Sequence, residues 1–306
     1  VLSNYLLPND VVWPMPLILQ IGAKDNVPEL GERIVLSSHQ GQSIAFLDVS
    51  EIYSINLHEV AKSFFGTSDK SHPGVNRLIK KGNIVLAGRV TLIEKLANPL
   101  SSYDYSPEQI RHIFMKKGWS KIVGFHTRNP AHRVHEYIQL EALKLTNSDG
   151  VLINPVIGEK KEGDFLPEIV IGSYEVLLKN NIYPKNSALL SGFSTYSRFA
   201  GPREALFTAI CRKNMGCSDF IIGRDHTGVK DYYSSDDLHA LFEKVGDIGI
   251  RPIFFGKIGY DSEIGDYAAK TESTKTSNIS GSEIRQMIRD NMPIPETHMR
   301  LEVQEF

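Results

Sequence analysis

Cysteine is scarce in this chain. The two that occur in 306 residues, Cys211 and Cys217, have the spacing of neither a zinc knuckle nor a C-x-x-C redox pair. Cys211 is expected to pack within a helix as a small hydrophobe. An excess of basic residues is also missing. With 34 Lys and Arg against 36 Asp and Glu the formal net charge is −2, so there is no electrostatic case for a nucleic-acid or membrane partner. No apolar run approaches the ~20 residues needed to span a bilayer, and the N-terminus lacks a charged region followed by an apolar one. A cytoplasmic location is the expectation. The chain begins at Val1 and not at methionine, which leaves room for an N-terminal piece outside this sequence. What is present, 41% hydrophobic and 23% charged residues, has the balance of a globular protein long enough for two domains with proper cores.

From Val1 to about Pro99 the pattern is short apolar segments broken by turn residues, at 16–22, 33–38, 43–55 and 83–93. Such spacing predicts a small β-barrel or mixed β domain. Compact β domains are sometimes RNA-binding modules, but this one lacks the interleaved aromatic and basic residues that such a surface needs, which favours structural duty. Residues 98–106 read as a linker. A helix follows, entered through Ser106 with Gln109 completing a capping box. Strands and helices then alternate: strands at 121–125, 150–158, 188–193, 218–223 and 251–257, with helices at 167–181, 202–216 and 234–245. The alternation predicts a doubly wound parallel sheet, whose ligands bind beyond the carboxyl ends of the strands.

The chemistry gathers in KIVGFHTRNPAHRVHEYIQLEALKL (121–145), where the strand at 121–125 runs through a short polar loop into an amphipathic helix. Asn129 is placed to cap a helix, with Pro130 at its first position. His132 then falls in the first turn and His135 one turn later on the same face. Unpaired backbone N–H groups at a helix start, with Arg128 and two histidines beside them, suit a polyphosphate. The pair alone also allows two zinc ligands, with no obvious third, or two surface residues of no consequence.

Later turns add to the pattern. Gly201 and Pro202 repeat the cap-then-proline logic, flanked by Arg198 and Arg203; a plain helix start with two solvated arginines is the other reading. The strand ending at Gly223 leads into Arg224, Asp225, His226, Thr227 and Gly228, where glycines at both ends suit a loop that moves. Ser280 and Glu283 form a capping box in front of Arg285, which either reaches a ligand or rides on a merely well-capped helix.

Taken together the motifs resemble the ATP sulfurylase, or sulfate adenylyltransferase, family over most of the chain. They are FGTSDKSHPGV (65–75), RNPAHRVHE (128–136), LINPVIGEKKEGD (152–164), AGPREALFTAICRKNMG (200–216) and GRDHTG (223–228). The resemblance implies a PUA-like β domain (1–105), an α/β nucleotidyltransferase domain (106–248) and a small C-terminal α/β segment (249–306). It implies ATP with Mg2+ and sulfate as reactants, adenylyl sulfate and pyrophosphate as products, and a homo-oligomer. Carried over by position, Arg128, Asn129, His132, His135 and Arg224 are the catalytic set. Sulfate falls to His126, Arg128 and Thr227. ATP falls to His126, Arg128, Asn129, His132, His135, Gly223, Arg224, Asp225, His226 and Ile279.

Departures from the family pattern are few. His126 stands where the family has glutamine, and Thr227 where it usually has alanine. These two keep open an altered oxyanion substrate or a catalytically silent nucleotide- or RNA-binding homologue. A histidine facing a dianion is expected to be drawn to its protonated form, so that sulfate KM rises between pH 6 and 8.5; the other reading is a neutral imidazole that supplies the one N–H of the glutamine amide. Residues 258–276 lack the cysteine-rich, metal-binding stretch of some bacterial members, and no structural zinc is expected. The segment that usually precedes the β domain and the kinase domain that sometimes follows are expected to be absent.

Overall fold

The computed structural model describes all residues except 23–25, 39, 97, 161, 224, 225, 227, 230, 231, 271–275 and 278. By their contacts they form two units. One holds Val1–Pro99 with Arg198–Phe207 and Thr227–Val245; the other holds Leu100–Ser197, Thr208–His226 and Gly246–Phe306. Two segments from beyond residue 105 thus group with the N-terminal part.

The first unit is built on strands β1 (Leu19–Ile21), β2 (Arg33–Ser37), β3 (Ser43–Ser54) and β4 (Ile84–Leu92), all antiparallel, in the order β1-β4-β3-β2. Alternation decides which face is covered. Ala45, Leu47 and Val49 of β3 are buried, and Leu47, Val49 and Leu86 form a small core with Ile21, Ile34, Leu36 and Ile52 around it. Among the described residues the edges β1 and β2 do not pair, so the mixed β reading holds and the barrel does not. Two helices that the apolar pattern did not announce are inserted, α1 (Leu57–Phe65) and α2 (Pro73–Lys80). Asn56 caps the first by accepting from the amides of His58 and Glu59. His72 caps the second through Nδ1, with Pro73 at the first helical position.

In the second unit α3 (Pro107–Lys117) starts with the expected capping box, Ser106 and Gln109 bonding each other's backbone N–H. Strands β5 (Ile122–Thr127), β6 (Gly150–Pro155), β7 (Ala188–Leu190), β8 (Asp219–Gly223) and β9 (Arg251–Phe255) form one parallel sheet in the order β7-β6-β5-β8-β9. Every residue of β6 and all but His126 of β5 are buried, as near-continuous apolar strands of a covered parallel sheet must be. The connecting helices are α4 (Arg133–Thr146), α5 (Pro167–Lys179) and α6 (Pro202–Asn214), which is shared between the units; α7 (Ser235–Val245), between β8 and β9 in sequence, belongs to the first unit. A hairpin of β10 (Ile258–Asp261) and β11 (Asp266–Ala269) and the short helices α8 (Gly281–Arg289) and α9 (Leu301–Gln304) complete the chain. The buried carboxylate of Glu136 on α4 ties this tail down by accepting from Arg133 at 2.9 Å and from Arg300 at 2.8 Å. No helix among the described residues is long and apolar enough to cross a membrane.

Candidate active site

The central strands β5 and β8 deliver His126, Thr127 and Gly223 at their carboxyl ends, and the loop 128–132 carries the chain from β5 into α4. Helix α4 begins later than its sequence suggests. Asn129 does not cap it and Pro130 is not its first residue; the cap is His132, in extended conformation, whose Nδ1 accepts from the amide of His135 at 3.4 Å. The loop has other uses for its polar groups. The Asn129 amide donates to Thr127 Oγ1 at 3.1 Å and that of Ala131 to Ser173 Oγ at 2.9 Å, which holds the segment outside the helix.

The freed Asn129 side chain meets the C-terminal segment instead. Its Oδ1 accepts from Arg285 Nη1 at 3.1 Å. A Cβ added to Gly281, the first residue of α8, would lie 2.5 Å from Asn129 Cγ and Nδ2, so only glycine allows this approach. Asp164 closes the cluster: Oδ1 accepts from Arg285 at 3.1 Å and Oδ2 from Arg128 at 3.4 Å. Arg285 thus does reach the ligand-suited end of the sheet. Ser280 caps α8 as expected, but the reciprocal half of its box is missing, since Glu283 Oε2 is buried with no partner. Ile279, which the resemblance assigns to ATP, packs in the apolar core.

The histidines are neutral. His132 is 4% exposed, and burial holds it down to about 3. Its Nδ1 accepts, which puts the proton on Nε2. His135 stacks on it, ring centroids 3.6 Å apart, shares a 2.9 Å hydrogen bond with Tyr174, and is likewise held well below the usual imidazole range by burial. These residues offer N–H donors and no net charge. His226, also held to about 3 by burial, shares a 2.9 Å bond with Thr208. Its ring lies 5.4 Å from that of His126.

His126 departs most from expectation. The fully buried Arg212, on α6, donates Nη2 to His126 Nδ1 at 2.9 Å and to the Asn154 carbonyl at 3.2 Å. Gly124 makes room for the arginine stem, since a Cβ there would lie 2.7 Å from Arg212 Cγ. An arginine cannot accept, so His126 Nδ1 must, and the ring proton sits on Nε2. Burial first, then Arg212, His226, Lys160 and Arg128, hold this imidazole well below its usual range. The arrangement argues against the protonation expected beside the anion: burial, Arg212 on Nδ1 and the cations packed round the ring favour its neutral form. Sulfate KM is predicted to stay level from pH 6 to 7.5, and His126→Gln to keep the same profile, because one neutral N–H replaces another. A slope that the glutamine flattens contradicts this.

Arg203, expected at an anion-suited turn, is not one of these groups. It is 7% exposed and its guanidinium is spent on the carbonyls of Val1, Leu2, Pro14 and Ser63. Nor is it solvated. The amides of Arg198 and Ala200 are accepted by the buried Glu204 at 2.8 and 3.1 Å, so a carboxylate already satisfies that turn. Arg224, Asp225 and Thr227 lie outside the described residues. Lys160, Asn154 and Arg212 were not singled out from sequence. Only the GD turn holding Asp164 had drawn notice.

The family model for ATP-sulfurylase matches residues 101–306, and one for a PUA-like domain matches residues 1–95. A sulfate adenylyltransferase of Pyrococcus abyssi is 38% identical over 309 residues, covering 100% of this chain and 80% of its own. The chain belongs to the ATP sulfurylase family. Another sulfate adenylyltransferase, from Synechococcus, is 37% identical over 305 residues, with 97% of this chain and 77% of that one covered. Among solved structures, a chain described as hexameric APS kinase from Thiobacillus denitrificans superposes with a TM-score of 0.74 at 22% identity, over 99% of this chain. This chain spans 54% of that one, and the likeness establishes the shared fold. The parallel sheet with its strand-end cluster is thus the ATP sulfurylase part, and the antiparallel sheet lies in the PUA-like part.

Proposed function

We propose that the chain is a sulfate adenylyltransferase, transferring AMP from ATP to sulfate to give adenylyl sulfate and pyrophosphate, reversibly. The observation that carries this is near-full-length similarity, at 38% identity, to proteins named sulfate adenylyltransferase. The strand-end cluster supports it chemically. A sulfate oxygen attacks the α-phosphorus, the bond from that phosphorus to the bridging oxygen breaks, and pyrophosphate leaves with the electron pair. Positioning and charge stabilisation suffice, and no protein nucleophile is required. Arg128 neutralises charge on both reactants, with Arg224 assigned to the loop after β8. Asn129, its amide oxygen held by Arg285, presents its NH2 group as a donor. His132 and His135 contribute as neutral imidazoles. His126 and Thr227 are assigned to sulfate, and Gly223, Asp225 and His226 to ATP.

Among the described residues no group of three His, Cys, Asp or Glu side chains is placed to hold a metal. Mg2+ is assigned to the ATP phosphates and arrives with them as substrate, supplying charge neutralisation there. We assign function by chain order: the strand-end cluster to 106–248, Arg285 to 249–306, and structural duty to 1–105. A homo-oligomer and a cytoplasmic location belong to the same proposal. An altered oxyanion and a silent nucleotide- or RNA-binding role have no observation in their favour. Purified protein is expected to release pyrophosphate from ATP when sulfate or molybdate is added. Failure with sulfate, molybdate and selenate alike sinks the reading.

A further inference from the structure

We propose that Lys160 is a further oxyanion-binding residue of this site, its ammonium donating to the acceptor sulfate beside His126 and Arg128. The inference rests on the sulfate adenylyltransferase reading. Lys160 lies in the loop that leaves the carboxyl end of β6 on the way to α5. Its Nζ is shut off from solvent and makes no hydrogen bond. A buried ammonium in that state is costly unless something anionic completes it.

Among the described residues nothing hydrogen-bonds to it. Asp164, the carboxylate that most favours its charge, already spends Oδ2 on Arg128 and Oδ1 on Arg285. Three cations among the described residues, Arg128, Arg285 and Lys160, gather round Asp164, with Glu168 adding a smaller attraction for the ammonium. A tetrahedral dianion restores the balance, and the neutral His126 beside it adds a donor without adding charge. Of the described residues, Asp164 and Glu168 favour the charge of the ammonium, Arg128 opposes it, and His126 is neutral. Burial dominates and holds Lys160 down to about 8. The sign of the pH effect follows. Below pH 8 the ammonium is present and binds. Above it the free amine does not, so sulfate KM climbs as pH passes about 8.

Lys160→Met keeps the stem and removes the charge. It is expected to raise sulfate KM about tenfold or more at pH 7, on the scale of a hydrogen bond to a charged group, while ATP KM changes less than about twofold. Its thermal midpoint should equal or exceed that of the wild type, because an unpartnered buried cation has gone; lost packing would lower it instead. Lys160→Arg should recover most of the sulfate affinity and abolish the rise above pH 8, arginine staying charged there. An unchanged sulfate KM in K160M, a rise in ATP KM in its place, or the same alkaline rise in K160R overturns the assignment alone. Wild-type protein without sulfate-dependent pyrophosphate release overturns both it and the reading beneath it.

Discussion

Alanine at Arg128 is expected to lower kcat/KM for AMP transfer by about a hundredfold to a thousandfold, the scale of a lost oxyanion donor, or roughly 3 kcal/mol. The cause lies in the guanidinium's place at the strand-end cluster, where it lies 3.4 Å from Asp164 with its side chain 22% exposed and can meet an incoming anion. Asp164 keeps Arg285 at 3.1 Å when Arg128 is gone. The variant should therefore fold, with a thermal midpoint close to that of the wild type. Lysine at this position restores charge but not the planar fork, and should recover only part of the rate. Steady-state kinetics of Arg128→Ala at saturating ATP decide the matter. A kcat/KM within a few-fold of the wild type would put the phosphate site elsewhere.

His132 has two duties, and two substitutions separate them. As the cap of α4 it accepts from the His135 amide, so His132→Ala should cost about 1 kcal/mol of stability. As a donor through Nε2–H it should also cost about a hundredfold in kcat. His132→Asn restores a cap, since asparagine is among the best acceptors at that position, but it cannot stack on His135 or present the same N–H. Recovery of the thermal midpoint without recovery of kcat is the expected result, read by thermal unfolding and initial rates. If asparagine restores both, His132 serves the helix and not the chemistry.

Much of this architecture was legible in the chain. Strands β5, β6 and β8 are short apolar runs closed by turn residues, and Ser106 with Gln109 wrote the start of α3 in local chemistry. The loop 128–132 was misread for a local reason: Asn and Pro in sequence signal a helix start, but Thr127 and Ser173 claim the amides and His132, an uncommon cap, takes the role. The remaining misses are non-local. Nothing near Arg203 in sequence says that its partners are carbonyls at Val1, Leu2, Pro14 and Ser63. The titration expected of His126 follows from an imidazole beside a dianion, and what opposes it is Arg212, 86 residues away, which occupies Nδ1. Lys160 showed no pattern at all, since an unsatisfied buried ammonium is visible only once its surroundings are known.

The central claim is that the cluster at the ends of β5, β6 and β8 moves AMP from ATP to sulfate. It is tested most directly by incubating purified protein with Mg2+–ATP, sulfate and pyrophosphatase, then separating the nucleotides. The account predicts adenylyl sulfate accumulating in step with pyrophosphate formed, abolished by omitting sulfate and cut at least about a hundredfold in Arg128→Ala. Nucleotide turnover that does not depend on sulfate, or adenylyl sulfate formed equally well by Arg128→Ala, would contradict it.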